Sequence, residues 1–154
     1  MPRIIDALSN EGRFKTLVSA LQSAGLVDTL NGYGPFTIFA PTDDSFNKLP
    51  EGTLELLLKD IPKLKNILLY HVVEGKMLAV DVANLTSLKT LLGQKIKIDA
   101  NDKSELGRDE PSSLYDSVHW HMYLRLNDNT YVTEPDQLAD NGVIHVVNGV
   151  LIPK

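Results

Sequence analysis

The sequence predicts an α+β fold in which an antiparallel β-sandwich is flanked by several short helices. Three observations carry this expectation. Apolar residues recur at helical spacing in the first half of the chain, as at Phe14, Leu17, Val18 and Leu21. The last third changes to alternation, with Val118, Trp120, Met122, Leu124 and Leu126 separated by His119, His121, Tyr123 and Arg125. Asn148-Gly149 stands between the apolar runs 143–147 and 150–152, and Asn-Gly supplies the positive φ angles of a tight hairpin turn. Helices mixed with strands, then mostly strands, is an α+β order.

The elements follow in chain order. The helix through Phe14 and Leu21 ends at Gly25, and Asn31-Gly32-Tyr33-Gly34-Pro35 is a turn cluster. Phe36–Ala40 reads as a short buried strand stopped by Pro41. Thr42 is placed to cap a helix whose first turn carries Asp43 and Asp44, with Phe46 and Leu49 facing inward. Leu54–Leu58 is helical, Ile61-Pro62 breaks it, and Leu64, Ile67 and Leu68 resume the spacing. The period changes at Tyr70-His71-Val72-Val73. A short helix at Ala79–Ala83 and a strand at Lys95–Ile98 follow. Residues 99–117 form a polar, acidic insert with two bases and six acids; connections of this length carry function or lack order. Asn127-Asp128-Asn129 is a turn into the strand Thr130–Thr133. No internal repeat is present.

At 154 residues, with 43% hydrophobic and 23% charged content, the chain suits one domain, residues 1–154, with its own core. The net charge of −5, from 15 basic and 20 acidic residues, argues against a nucleic-acid partner. Absence of cysteine excludes disulfides, thiolate catalysis and thiolate-bound metal. No apolar run approaches the roughly 18 residues of a transmembrane span. Met1–Ile5 lacks the apolar core of a signal peptide, so the chain reads either as a cytoplasmic protein or as a mature or trimmed domain with a starter Met.

Three segments together resemble the fasciclin domain. They are Thr37-Ile38-Phe39-Ala40-Pro41-Thr42-Asp43-Asp44-Ser45-Phe46, then Leu68-Leu69-Tyr70-His71-Val72-Val73, then Asn141-Gly142-Val143-Ile144-His145-Val146-Val147-Asn148-Gly149-Val150-Leu151. Ile4–Leu26 is similar to the family's first helices. The resemblance covers nearly the whole chain. It implies a wedge-shaped β-sandwich flanked by helices. It also implies a non-enzymatic adhesion or protein-interaction module, extracellular or at the cell surface. The implied partners are other adhesion domains, further copies of the same module, or matrix and cell-surface components. An alternative reading is a carrier for an apolar ligand such as a lipid or carotenoid. Two departures stand out: the 99–117 insert with the histidine-bearing strand after it, and Asn148 where many members have Asp.

The candidate adhesion surface is Tyr70, His71, Glu134, Pro135 and Asp136. In some animal members the region of Tyr70 and His71 is linked to integrin binding; the competing reading has both side chains fixing a helix-to-strand junction. Glu134-Pro135-Asp136-Gln137-Leu138 resembles a short acidic integrin-type motif, with Gln137 where an aliphatic residue is usual, an exposed carboxylate offered to a receptor-bound cation; otherwise it is a Pro-Asp turn between strands. His119 and His121 are neighbours on one strand face, a polar stripe with chelating spacing but too few ligands for a complete metal site. Asp99, Asn101 and Lys103 fail as a calcium loop for want of a glycine and because of the lysine. His145 reads as a satisfied core residue, and Asn84-Leu85-Thr86 as a glycosylation sequon. No nucleophile elbow, phosphate loop, zinc-protease or dinucleotide motif occurs. The sequence therefore calls for no enzyme, no cofactor and no bound metal.

Overall fold

A computed structural model describes residues 3–32, 34–100, 124–127 and 130–151. Helices α1 (Ile4–Glu11) and α2 (Lys15–Ser23) each turn one apolar face inward: Ile4, Ile5 and Leu8 from the first, Leu17, Ala20 and Leu21 from the second. The α2 helix stops where expected. Gly25 adopts φ +74°, its N–H donates to Gln22 O, and Leu26 N–H donates to Leu21 O. This paired closure needs a left-handed residue, which glycine supplies without strain.

After α3 (Val27–Leu30), strand β1 (Phe36–Pro41) runs through the core. Thr42 caps α4 (Asp43–Asn47) by accepting Ser45 N–H at 3.3 Å. Helices α5 (Thr53–Lys59) and α6 (Ile61–Leu69) are separated by Asp60, which caps α6 by accepting Lys63 N–H at 3.3 Å. Pro62 sits in the first turn, where its missing N–H costs nothing. Then come β2 (Val72–Glu74), α7 (Ala79–Ala83), β3 (Ser87–Lys89), β4 (Lys95–Ala100), β5 (Leu124–Leu126), β6 (Thr130–Ala139) and β7 (Gly142–Val147).

The described strands join in one seven-stranded sheet, in the order β2-β1-β7-β6-β5-β4-β3. Its centre is a parallel pair: β1 and β7 align from Phe36 beside Gly142 to Pro41 beside Val147. All other pairings are antiparallel. The two ends of the sheet approach each other, since Leu91 N–H, two residues after β3, donates to Val72 O in β2 at 2.8 Å. The result is mixed and nearly closed, like a barrel, rather than the antiparallel sandwich the sequence suggested.

The hairpin expected at Asn148-Gly149 does not form among the described residues, and the reason is geometric. β7 already has β1 on one edge and β6 on the other, so no edge is left for a returning strand. The tight connection is Asp140-Asn141, between β6 and β7. Nor does Glu134-Pro135-Asp136 form a turn between strands; it lies inside β6, whose register shifts on both sides of Glu134. β4 extends to Ala100, so the polar insert starts later than residue 99. The rest of that insert, and the strand segment carrying His119 and His121, lie outside the described residues.

Period-two alternation splits the core in two. Ile38 and Ala40 of β1, with Ile144 and Val146 of β7, face the helices and meet Leu8, Phe14, Leu17, Leu21, Leu64 and Leu68. Phe39 and Val147 face the other way, into the barrel interior with Val82, Ile96, Leu124 and Leu126. Asn141 ties the helices to the sheet: its Oδ1 accepts Ile4 N–H at 2.9 Å, its Nδ2 donates to Leu30 O at 2.5 Å, and its backbone O accepts Phe36 N–H at 3.0 Å.

Gly142 has no room for a side chain, because a Cβ there would meet Phe36 O at 1.9 Å. Gly142→Ala therefore separates β1 from β7 and lowers stability in urea by about 3 kcal/mol. Thr42→Ala, which removes the cap and the hydroxyl contact to Ser45, lowers it by about 1 kcal/mol in the same measurement.

Candidate functional site

Tyr70 and His71 close α6 and lead into β2, and both are buried. Tyr70 Oη donates to Lys95 O at 2.8 Å and accepts from Asn127 Nδ2 at 2.8 Å. Leu151 N–H donates to His71 Nε2 at 2.9 Å, so the ring proton lies on Nδ1, which donates to Ile67 O at 2.7 Å. His145 has the opposite tautomer. Its Nδ1 accepts Asp136 N–H at 3.1 Å, and its Nε2 donates to Met77 O at 2.7 Å. Its ring stacks on Phe39, with centroids 5.6 Å apart. All four ring nitrogens are thus engaged internally. Burial pushes the His71 pKa down from 6.5 to about 4, and burial lowers that of His145 as well.

Asp136 and Glu134 project from the irregular part of β6. Asp136 takes φ +59°, and its Oδ1 accepts Ala79 N–H at 2.8 Å, fixing the start of α7. Glu134 grips Arg13 with both oxygens, at 2.5 and 3.1 Å, and Arg13 also donates to Glu11 at 2.7 Å. The hydrogen bonds from Arg13 hold the Glu134 carboxyl below the usual range, and those to Glu134 and Glu11 raise Arg13. Both groups remain solvent-exposed, so the pair positions surface more than it adds stability. The candidate residues therefore divide: Tyr70 and His71 brace the interior, whereas Glu134 and Asp136 shape the surface.

Beside Arg13 lies a polar cleft of about 400 Å³, lined by Arg13, Thr42, Asp43, Asp44, Thr133 and Asn148 among others. Ser45 and Lys48 line it too, and with Asn148 they also line a neighbouring cleft of about 310 Å³. Asp43 is held by accepting Thr16 N–H at 2.7 Å, and Ser45 donates to Val147 O at 3.1 Å. Among the described residues no group of three or more His, Asp or Glu could hold a metal ion.

The fasciclin domain model matches residues 12–153. The chain belongs to the fasciclin domain family. This fasciclin domain is 40% identical over 152 residues to the Synechocystis protein sll1735, covering 99% of this chain and 98% of that one. It is 45% identical over 78 residues to the cell surface glycolipoprotein MPB83 of Mycobacterium bovis, covering 47% of this chain and 35% of that one. Its fold matches a solved FAS1 domain pair from the insect cell adhesion molecule fasciclin I, with TM-score 0.73 and 18% identity, over 99% of this chain and 51% of the pair.

Arg13 was not legible as a site residue, because its partner Glu134 lies 121 positions away. The acid response of this fasciclin domain follows from the buried histidines. Between pH 6.5 and 4 the unfolded chain takes up a proton at residue 71 that the folded chain refuses. Stability is therefore full above pH 6.5 and falls as pH drops toward 4. This one group accounts for on the order of 3 kcal/mol of that fall. Urea titrations across this range show the decline, and His71→Gln flattens it while lowering stability at neutral pH.

Proposed function

We propose that residues 1–154 act as one non-enzymatic adhesion or protein-interaction module, extracellular or at the cell surface. Family membership supports this reading, together with the words that describe two of the similar proteins: a cell adhesion molecule and a cell surface glycolipoprotein. The observation that carries it is the full internal engagement of His71 and His145. A buried histidine bonded at both nitrogens transfers no proton to a substrate; it stiffens the scaffold beneath a surface. The docking surface in this reading is the Arg13–Glu134 edge with the polar cleft beside it. The partners are surface or matrix components, or a second copy of the module. The carrier reading has less support. The recess between α1 and α2, lined by Leu8, Phe14 and Val18, is about 340 Å³, at the small end for ligand cavities.

Beads coated with the domain cluster with one another or adhere to surface extracts of the source cells. Glu134→Lys, which opposes two like charges at Arg13, reduces that adhesion several-fold with the fold intact by circular dichroism. Absence of adhesion in both settings, together with a strict monomer by sedimentation up to millimolar concentration, overturns the proposal.

A further inference from the structure

The chain contains three Asn-Gly pairs, at 31–32, 141–142 and 148–149. In such a pair the glycine nitrogen approaches the asparagine side-chain carbonyl carbon without obstruction from a following Cβ. The structure treats the three differently. Asn141 is 7% exposed, with its amide nitrogen donating to Leu30 O and Gly32 O and its Oδ1 accepting from Ile4. Gly142 is locked in β7 between two strands. Asn31 closes α3 at ψ −3°, a helical value that turns the Gly32 nitrogen away from the side chain, and Gly32 N–H donates to Thr29 O.

Asn148 is less buried than Asn141 and follows a strand rather than closing a helix as Asn31 does. It lies in a bend beyond the end of β7, is half-buried, and lines both clefts, where water has access. Tyr131 N–H donates to its Oδ1 at 2.8 Å, while no described residue hydrogen-bonds its Nδ2. The carbonyl is thereby polarised, and among the described residues nothing holds its leaving group.

We propose that Asn148 is a site of spontaneous covalent modification. The Gly149 backbone nitrogen attacks Asn148 Cγ and gives its proton to water. The Cγ–Nδ2 bond then breaks, ammonia departs with a proton from water, and a five-membered succinimide remains. Water opens the ring to aspartate or isoaspartate. Tyr131 N–H stabilises the oxygen's negative charge in the tetrahedral intermediate, the role of an oxyanion donor.

The two products differ in consequence. Aspartate keeps the bond from Tyr131, strengthened by charge. It also places a carboxylate near Lys48, whose Nζ lies 3.1 Å from Asn148 O. The junction of the two clefts gains one negative charge. Isoaspartate lengthens the main chain ahead of Leu151, at a point where Gly149 already packs so closely that a Cβ would meet Thr130 Oγ1 at 2.8 Å. That product works against the Leu151–His71 bond.

The test incubates the folded wild-type domain at mildly alkaline pH and maps deamidation by peptide mass spectrometry, with a urea-unfolded sample in parallel. In the folded sample Asn148 converts at least about tenfold faster than Asn31 or Asn141. In the unfolded sample the three rates converge. Asn148→Gln abolishes the fast conversion, and Asn148→Asp melts at or above the wild-type temperature. An Asn148 that stays intact while the unfolded sample converts, or equal rates at all three sites in the folded chain, overturns the proposal.

Discussion

The parallel contact between β1 and β7 organises the molecule. It joins strands about a hundred residues apart, and no hairpin brings them together. Its closeness depends on Gly142, whose hydrogen in place of a side chain lets the Phe36 carbonyl come near. Asn141, immediately before it, gathers the start of α1, the end of α3 and the start of β1. One residue thus satisfies buried backbone groups from three elements that lack partners of their own. With this pair fixed, the helices have a wall to pack against and the remaining strands have an edge from which to extend.

The two histidines act within the same logic. His145 leaves β7 toward the barrel interior and holds Met77, while Thr37 of β1 accepts Met77 N–H at 2.8 Å and donates to Gly75 O at 2.6 Å. The connection from β2 to α7 is therefore pinned by both central strands. His71 holds the opposite end, where Leu151 returns to the core. Their neutrality is required by these bonds, since each ring must offer one donor and one acceptor.

Local signals were legible in the sequence and long-range ones were not. The α2 stop at Gly25, the Thr42 cap, the buried β1 and the short α7 all rest on near neighbours and appear where propensity places them. The Asn148-Gly149 signal failed because turn chemistry does not reveal whether a strand has a free edge. Glu134–Asp136 misled for a related reason: Pro and Asp favour turns, yet here a bulged strand absorbs them, with Asp136 at positive φ held by bonds to α7 and His145. The family resemblance supplied the fold where periodicity could not, though its implied sandwich gave way to a single curved sheet. Of the candidate site, burial of Tyr70 and His71 was foreseeable from their junction; the grip of Arg13 on Glu134 was not.

The near-meeting of the sheet's ends bears on self-assembly. Its border strands, β2 and β3, are three residues each, and the Leu91–Val72 bond occupies part of the gap between them. Little unpaired main chain is offered there for another polypeptide to extend the sheet. Recognition by strand addition is thus disfavoured at these described sheet ends. In the adhesion role proposed above, neighbouring copies are therefore kept from merging their sheets at these described ends.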